Sequence, residues 1–174
     1  MSKMTLEAPI VLAPFANERI REWPIENFQA FIECGLQDGR NFVISGTRPQ
    51  RVRANVICRS FPAHRVQNIC GTTTWSEMQS FLHDAPFVVA NNSGMAHLAA
   101  SRDLWVLCVF GGAHSYREWF PRGRRVVTLA RRPICAPCAN NICHNNYDCM
   151  ANLSAEFAYN EIICAISDSK KSGS

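Results

Sequence analysis

The chain has 174 residues, 47% of them hydrophobic and 18% charged, which is enough apolar material for one compact core and excludes a chain disordered as a whole. Its formal net charge of +4 suits anionic ligands such as a diphosphate but is too small and too scattered for a nucleic-acid interface. No stretch reaches the length of a membrane-spanning helix, and Met1-Ser-Lys-Met-Thr-Leu-Glu-Ala-Pro9 lacks the apolar core of a signal peptide, so a cytoplasmic chain is expected.

Short apolar runs alternate with helix-period segments, the pattern of a parallel sheet with crossover helices. Ile10 to Ala13 reads as a buried strand. Pro24 opens a helix as a first-turn residue, with Ile25, Phe28, Phe31 and Ile32 on one apolar face. Asn41 to Ser45 is the next strand, closed by Gly46, and a weaker helix follows from Pro49 to about Ser60. Val66 to Cys70 reads as a short strand. Thr74-Trp-Ser-Glu77 matches a capping box, and Met78, Phe81 and Leu82 continue that helix. Phe87 to Ala90 is a strand followed by a helix from Gly94 to Ser101. Leu104 to Phe110 is the most apolar strand, ending at Gly111-Gly112, and Arg125 to Leu129 is the last. Ser154 caps a closing helix through Phe157, Ile162, Ile163 and Ile166. The expected fold is α/β, a Rossmann-like doubly wound parallel sheet, which binds ligands at the carboxyl ends of its strands.

The chain has nine cysteines, and an odd count excludes a fully paired set of intramolecular disulfides. Cys34, Cys58, Cys70, Cys108 and Cys164 lie mostly among apolar neighbours and read as core residues. The other four, Cys135, Cys138, Cys143 and Cys149, have the spacing Cys-x2-Cys-x4-Cys-x5-Cys in an Asn-rich loop. That spacing suits a tetrahedral structural site for zinc or iron, with His144 able to replace one thiol. Reduced thiols without a metal are the alternative. Four thiolates leave no open coordination position, so no catalytic cofactor is expected there.

After the strand ending at Ala90 comes Asn91-Asn-Ser-Gly-Met-Ala-His-Leu98. A small polar cap and a glycine at a helix start leave backbone N–H groups open, and the helix dipole favours an anion there. Ser93 is the expected cap, Gly94 lets a phosphate approach the backbone, and His97 falls one turn into the helix.

The order of segments then carries a resemblance. Pro14-Phe-Ala-Asn-Glu-Arg-Ile-Arg-Glu-Trp-Pro24 is followed by Ile44-Ser-Gly46 and Asn68-Ile-Cys-Gly-Thr-Thr-Thr-Trp-Ser-Glu77. Val89-Ala-Asn-Asn-Ser-Gly-Met-Ala-His-Leu-Ala-Ala100, Val109-Phe-Gly-Gly112, Trp119-Phe-Pro121 and the cysteine cluster complete the series. From Pro9 to Ile166 it resembles the carboxy-terminal donor domain of the ADP-heptose:lipopolysaccharide heptosyltransferases, glycosyltransferase family 9.

The resemblance implies one half of a GT-B fold. Residues 1–168 would form a nucleotide-sugar-binding domain with a cysteine-rich loop at 133–150, and 169–174 a disordered tail. Arg21, two places before Trp23-Pro24, matches a basic residue that contacts the donor diphosphate, and Asn17 lies in the loop that cradles it. Ser93, Gly94, Met95 and His97 match the segment that grips the pyrophosphate, and Gly46 lies near the nucleoside. Some related autotransporter heptosyltransferases use clustered cysteines for iron.

Two departures accompany this likeness. The family has aspartate where this chain has Asn92, so the amide can hydrogen-bond a donor sugar without charge. The acidic ribose contact has no clear counterpart; Gln50 is nearest. A GT-B enzyme also binds its acceptor and places its general base in an amino-terminal domain, which has no counterpart here. The expected function is the donor half of an inverting transfer from an ADP-heptose-like nucleoside-diphosphate sugar to a lipopolysaccharide or other surface-glycan acceptor. It would work at the cytoplasmic face of a membrane with an acceptor-domain partner and no catalytic cofactor, and the isolated chain would be inactive. The alternative is a non-catalytic nucleotide-sugar-binding or metal-stabilised assembly module.

Overall fold

The computed structural model describes residues 8–172. Among these, β1 (Ile10–Ala13), β2 (Phe42–Ile44), β3 (Val66–Asn68), β4 (Val88–Asn91), β5 (Val106–Phe110) and β6 (Val126–Ala130) form one sheet. Its order is β3-β2-β1-β4-β5-β6, and every pairing is parallel. The strands are runs of Val, Ile, Leu and Phe because each is covered on both faces and has no solvent side to reserve for polar residues.

The helices between them are α1 (Ile25–Gln37), α2 (Arg51–Cys58), α3 (Trp75–Asp84), α4 (Gly94–Ser101), a single turn α5 (Tyr116–Trp119), α6 (Asp148–Ala151) and α7 (Ala155–Ser172). Strand side chains alternate between two clusters. Ile10, Leu12, Phe42, Ile44, Val89 and Leu107 meet α1, α2 and α7 on one face. Val11, Val43, Val88, Ala90, Val106 and Cys108 meet α3 and α4 on the other.

The first cluster is built around aromatic edges: Trp23 meets Phe28 at 5.1 Å between centroids, and Phe31 meets Tyr159 at 5.3 Å. Burying each such ring contributes about 1.5–3 kcal/mol beyond exposure, and edge-to-face geometry adds a further ~0.5–1.5 kcal/mol. The Trp23 indole also donates to the Leu153 carbonyl at 3.1 Å, which straps the segment before α7 onto the start of α1. Cys70 and Cys108 are buried and Cys34 and Cys58 half-buried, as core residues should be, whereas Cys164 is exposed. Burial pushes the Cys108 thiol up to about 12 and those of Cys58 and Cys70 to about 11.

Two expectations are corrected at the carboxyl end. Ser154 does cap α7, accepting the Phe157 amide at 3.3 Å. Phe157 itself is exposed, because the buried face of α7 runs through Ala158, Tyr159 and Ile162 instead. The helix continues to Ser172, so residues 169–172 are helical rather than a tail; the last two residues lie outside the described ones. The Pro24 expectation moves by one place: Pro24 is the cap position and the helix begins at Ile25.

Candidate functional site

The order in which successive strands are added reverses between β1 and β4, so the connections leaving their carboxyl ends run to opposite sides, the switch point at which such sheets form a crevice. A cavity of about 450 Å³ opens there. Its walls come from the residues that follow four strands: Phe15 to Arg21 after β1, Ser45 to Thr47 after β2, Gly71 to Trp75 after β3 and Ser93 to Met95 after β4. That volume lies in the usual range for small-molecule and cofactor sites.

The loop after β1 is held from three sides. Asn91, fully buried at the end of β4, accepts the Trp23 amide at 2.9 Å and donates to the Pro14 carbonyl at 2.8 Å, gripping both ends of the loop. The Glu22 carboxylate accepts the Ala16 amide at 3.1 Å and takes a bidentate grip from the Arg53 guanidinium, which also lies 4.8 Å over the Phe15 ring. Arg21 sits in a 3-10 turn, Arg19–Arg21, and donates from Nη1 to the Asn92 carbonyl at 3.3 Å. Its Nε lies 3.2 Å from Glu18 Oε2 yet makes no hydrogen bond of adequate angle, and so remains a buried donor without a partner.

Ser93 occupies the cap position of α4 with extended backbone, but its side chain makes no capping bond. Its Oγ is buried and unpartnered on the cavity wall. The first amides of the helix have no intrahelical carbonyl to bond. A Cβ added at Gly94 would meet nothing within 4 Å, so packing leaves that position open on the cavity side. Gly46 differs: an added Cβ would lie 2.7 Å from Gln50 Oε1 and 2.9 Å from Cys70 Sγ, so close packing alone requires glycine.

Six of the eight expected binding residues, Asn17, Arg21, Gly46, Ser93, Gly94 and Met95, line this one cavity. The other two are outside its lining. Asn92 is buried, with its backbone tied to Val109 and Arg21, and His97 stands on the exposed side of α4. Gln50 lines the cavity, but its amide oxygen is already engaged by the Thr47 N–H at 2.8 Å.

Sequence reasoning missed the far wall. Thr73, Thr74, Trp75 and Met78 line it, and Trp75 is 61% exposed. The capping box is present, with Thr74 donating to Glu77 at 2.7 Å, and those bonds hold the Glu77 carboxyl below its ordinary range. A tryptophan at the first turn of a capped helix reads as one more apolar helix residue. The available signal was the Gly71-Thr-Thr-Thr74 run directly after a strand.

The cysteine loop needs a correction. Among the described residues no three His, Cys, Asp or Glu side chains are gathered to hold a metal ion. Of the thiols of Cys135, Cys138, Cys143 and Cys149, those of Cys135 and Cys143 are engaged by the loop itself instead. Cys143 Sγ accepts the Asn145 and Tyr147 amides at 3.4 and 3.1 Å, and Asn145 Nδ2 points at Cys135 Sγ at 3.7 Å. Cys149 is turned toward Gly112, and burial raises its thiol pKa. His144 is exposed. This arrangement does not fit the expected zinc or iron site.

A doubly wound parallel sheet with an open helix start and a half-buried arginine at its switch point defines a Rossmann-like α/β domain. The sequence pattern of glycosyltransferase family 9 (heptosyltransferase) matches residues 2–148, and the chain belongs to that family. No curated protein matches it by sequence. Among solved structures, ADP-heptose lps heptosyltransferase II of E. coli superposes with a TM-score of 0.77 at 15% identity, over 98% of this chain and 49% of that one. E. coli heptosyltransferase WaaC with ADP gives 0.73 at 17%, over 95% and 46%. The iron-containing dodecameric glycosyltransferase TibC from enterotoxigenic E. coli H10407 gives 0.68 at 15%, over 93% and 45%. At such identities the likeness is one of fold, and the chain spans about half the length of these proteins. Among the described residues no helix is long and apolar enough to cross a membrane.

Proposed function

We propose that the chain is the donor-binding half of a glycosyltransferase and takes a nucleoside-diphosphate sugar of the ADP-heptose kind. The observation that carries this reading is the meeting, in one cavity, of an open helix start, the buried and unpartnered Ser93 Oγ, and the Arg21 guanidinium, whose Nε has the Glu18 carboxylate beside it but no hydrogen bond. A buried donor without a partner costs about 1–3 kcal/mol, and an oxyanion of a diphosphate would relieve that cost. Support also comes from length. The walls after β3 and β4 are three strand spacings apart in the sheet order, or roughly 14 Å, which matches a base at Trp75 and phosphates at Ser93.

In this reading Arg21 and the amides of Gly94 and Met95 hold the diphosphate, which gains negative charge as the glycosidic bond breaks. Preorganised donors in a partly dry site stabilise that developing charge. Trp75 and Met78 offer the base an apolar platform, and Thr73 and Ser45 offer hydroxyls to the ribose. The acceptor, a lipopolysaccharide precursor or another surface glycan, and the general base for an inverting displacement would come from a separate acceptor domain or partner chain. Such a reaction would run at the cytoplasmic face of a membrane, and no step of it is routed through the cysteine loop.

Isothermal titration with ADP, ADP-heptose and UDP-sugars tests the reading. Adenine-selective binding that weakens at least tenfold in Arg21→Ala is the expected result. A well-folded chain that binds none of them at millimolar concentration would overturn it. The non-catalytic alternative is favoured by one feature: Asn92, standing where the family has aspartate, is buried and outside the cavity lining. Binding without turnover, after an acceptor domain is supplied, would select that alternative.

A further inference from the structure

Beside the first cavity, at the carboxyl ends of β5 and β6, lies a second one of about 160 Å³. Three arginines, Arg117, Arg131 and Arg132, line it together with His114 and Ser115, and no carboxylate does. The floor is the backbone of Gly111-Gly112. One side is closed by the cysteine loop, which docks through the Cys138 amide on the Gly112 carbonyl at 2.9 Å and the Ala139 amide on the Ala113 carbonyl at 3.2 Å. The docking is tight, since a Cβ at Gly112 would lie 2.9 Å from that of Ala136. The cavity thus has a formed backbone wall, onto which three exposed arginine side chains converge.

Its charge is only partly answered from within the fold. Arg131 pairs with Asp148 at 3.4 Å, and Arg132 is also engaged. His114 Nε2 is buried without a hydrogen-bond partner, its nearest carboxylate being Glu18 at 3.5 Å. That same Glu18 oxygen faces Arg21 Nε at 3.2 Å, so a single carboxylate stands between cations that line the two cavities. Three exposed arginines converging on one small opening, with no carboxylate in its lining, set a local positive field that favours a bound anion. A volume of 160 Å³ admits a compact oxyanion and excludes a nucleotide.

We propose that this second cavity is a separate subsite for a compact oxyanion, phosphate or carboxylate, carried by a ligand other than the nucleotide. His114 and Arg117 bind the anion, while Arg131 and Arg132 set the field. The site does not depend on the nucleotide reading, because none of its cations lines the first cavity.

The test is a titration of the ¹⁵N-labelled chain with inorganic phosphate, and in parallel with acetate, followed by amide shifts. It is run with saturating ADP and again in Arg21→Ala, so that anion capture by the first cavity is removed whether or not ADP binds. Saturable shifts at Gly111 to Ser115 and at Arg131 are expected in both settings, with a dissociation constant in the millimolar range or below. Arg117→Glu should weaken them at least tenfold, and His114→Gln severalfold, with thermal midpoints unchanged. Tighter binding of phosphate than acetate would assign the site to phosphate groups, and the reverse to carboxylates. The proposal is overturned if phosphate shifts are confined to Ser93 to Met95 and vanish with ADP or in Arg21→Ala. It is equally overturned if shifts at Gly111 fail to saturate, or persist unchanged in Arg117→Glu.

Discussion

Asn91 decides whether the arginine loop exists as a defined object. Its amide spans β1 and α1, satisfying the Pro14 carbonyl and the Trp23 amide at once in a fully buried setting. Replacement by alanine leaves both backbone groups without partners, and each orphan costs about 1–3 kcal/mol. Asn91→Ala is therefore expected to lower the unfolding free energy by about 2–4 kcal/mol in urea denaturation. Asn91→Asp should be at least as damaging, because a carboxylate cannot donate to Pro14 and would be buried beside it. The asparagine pair was visible in the sequence, but its two members divide their work in a way spacing does not reveal. Asn91 belongs to the strand and faces the loop, while Asn92 gives its carbonyl to Arg21.

The start of α4 separates the demands of folding from those of binding. Gly94 has no neighbour that a methyl group would strike, and alanine is the better helix former by about 0.5–1 kcal/mol. Gly94→Ala should leave the thermal midpoint unchanged or raise it, and yet weaken ADP binding at least tenfold by standing where a phosphate approaches. A loss of stability instead would mean that the glycine serves packing. Helices and strands of this kind were legible because each carries its own period: β5, for instance, is an unbroken Val-Leu-Cys-Val-Phe run flanked by turns. The short turns α5 and α6 were not, since four residues show no period at all. The helix-start end of the cavity was legible for a related reason, as Ser93-Gly94 follows a strand and opens a helix. Trp75 and His114 were not, because which wall they join depends on strand order and not on local pattern.

At the scale of the molecule, the family's pattern ends at residue 148, but the core does not. Leu153 receives the Trp23 indole and the Asn27 amide at 3.1 and 3.2 Å, Tyr159 donates to Asp38 at 2.7 Å, and α7 covers the face formed by α1 with β5 and β6. A chain cut after residue 148 would expose Phe31, Phe42 and Leu107 to water. It is expected to show no cooperative thermal transition and to bind a hydrophobic dye, whereas the full chain should melt in one step. A cooperative melt of the shortened chain would show that α7 is an accessory rather than part of the fold.

The strand order has a consequence for how the two halves of the sheet live together. β1, β2 and β3 are joined to one another by crossovers, as are β4, β5 and β6; within the sheet the β1–β4 pairing joins one triplet to the other, and α7 bridges them outside it by packing on α1, β5 and β6. The Asn91–Pro14 bond flanking the β1–β4 pairing links residues 77 apart in the chain, a distant closure whose loop entropy must be met before the contact forms. The first cavity straddles that seam, with Arg21 on one side and Ser93 on the other. A ligand lying across it would act as a clasp: it recognises only the closed pair, and its binding energy is added to whatever holds the triplets together.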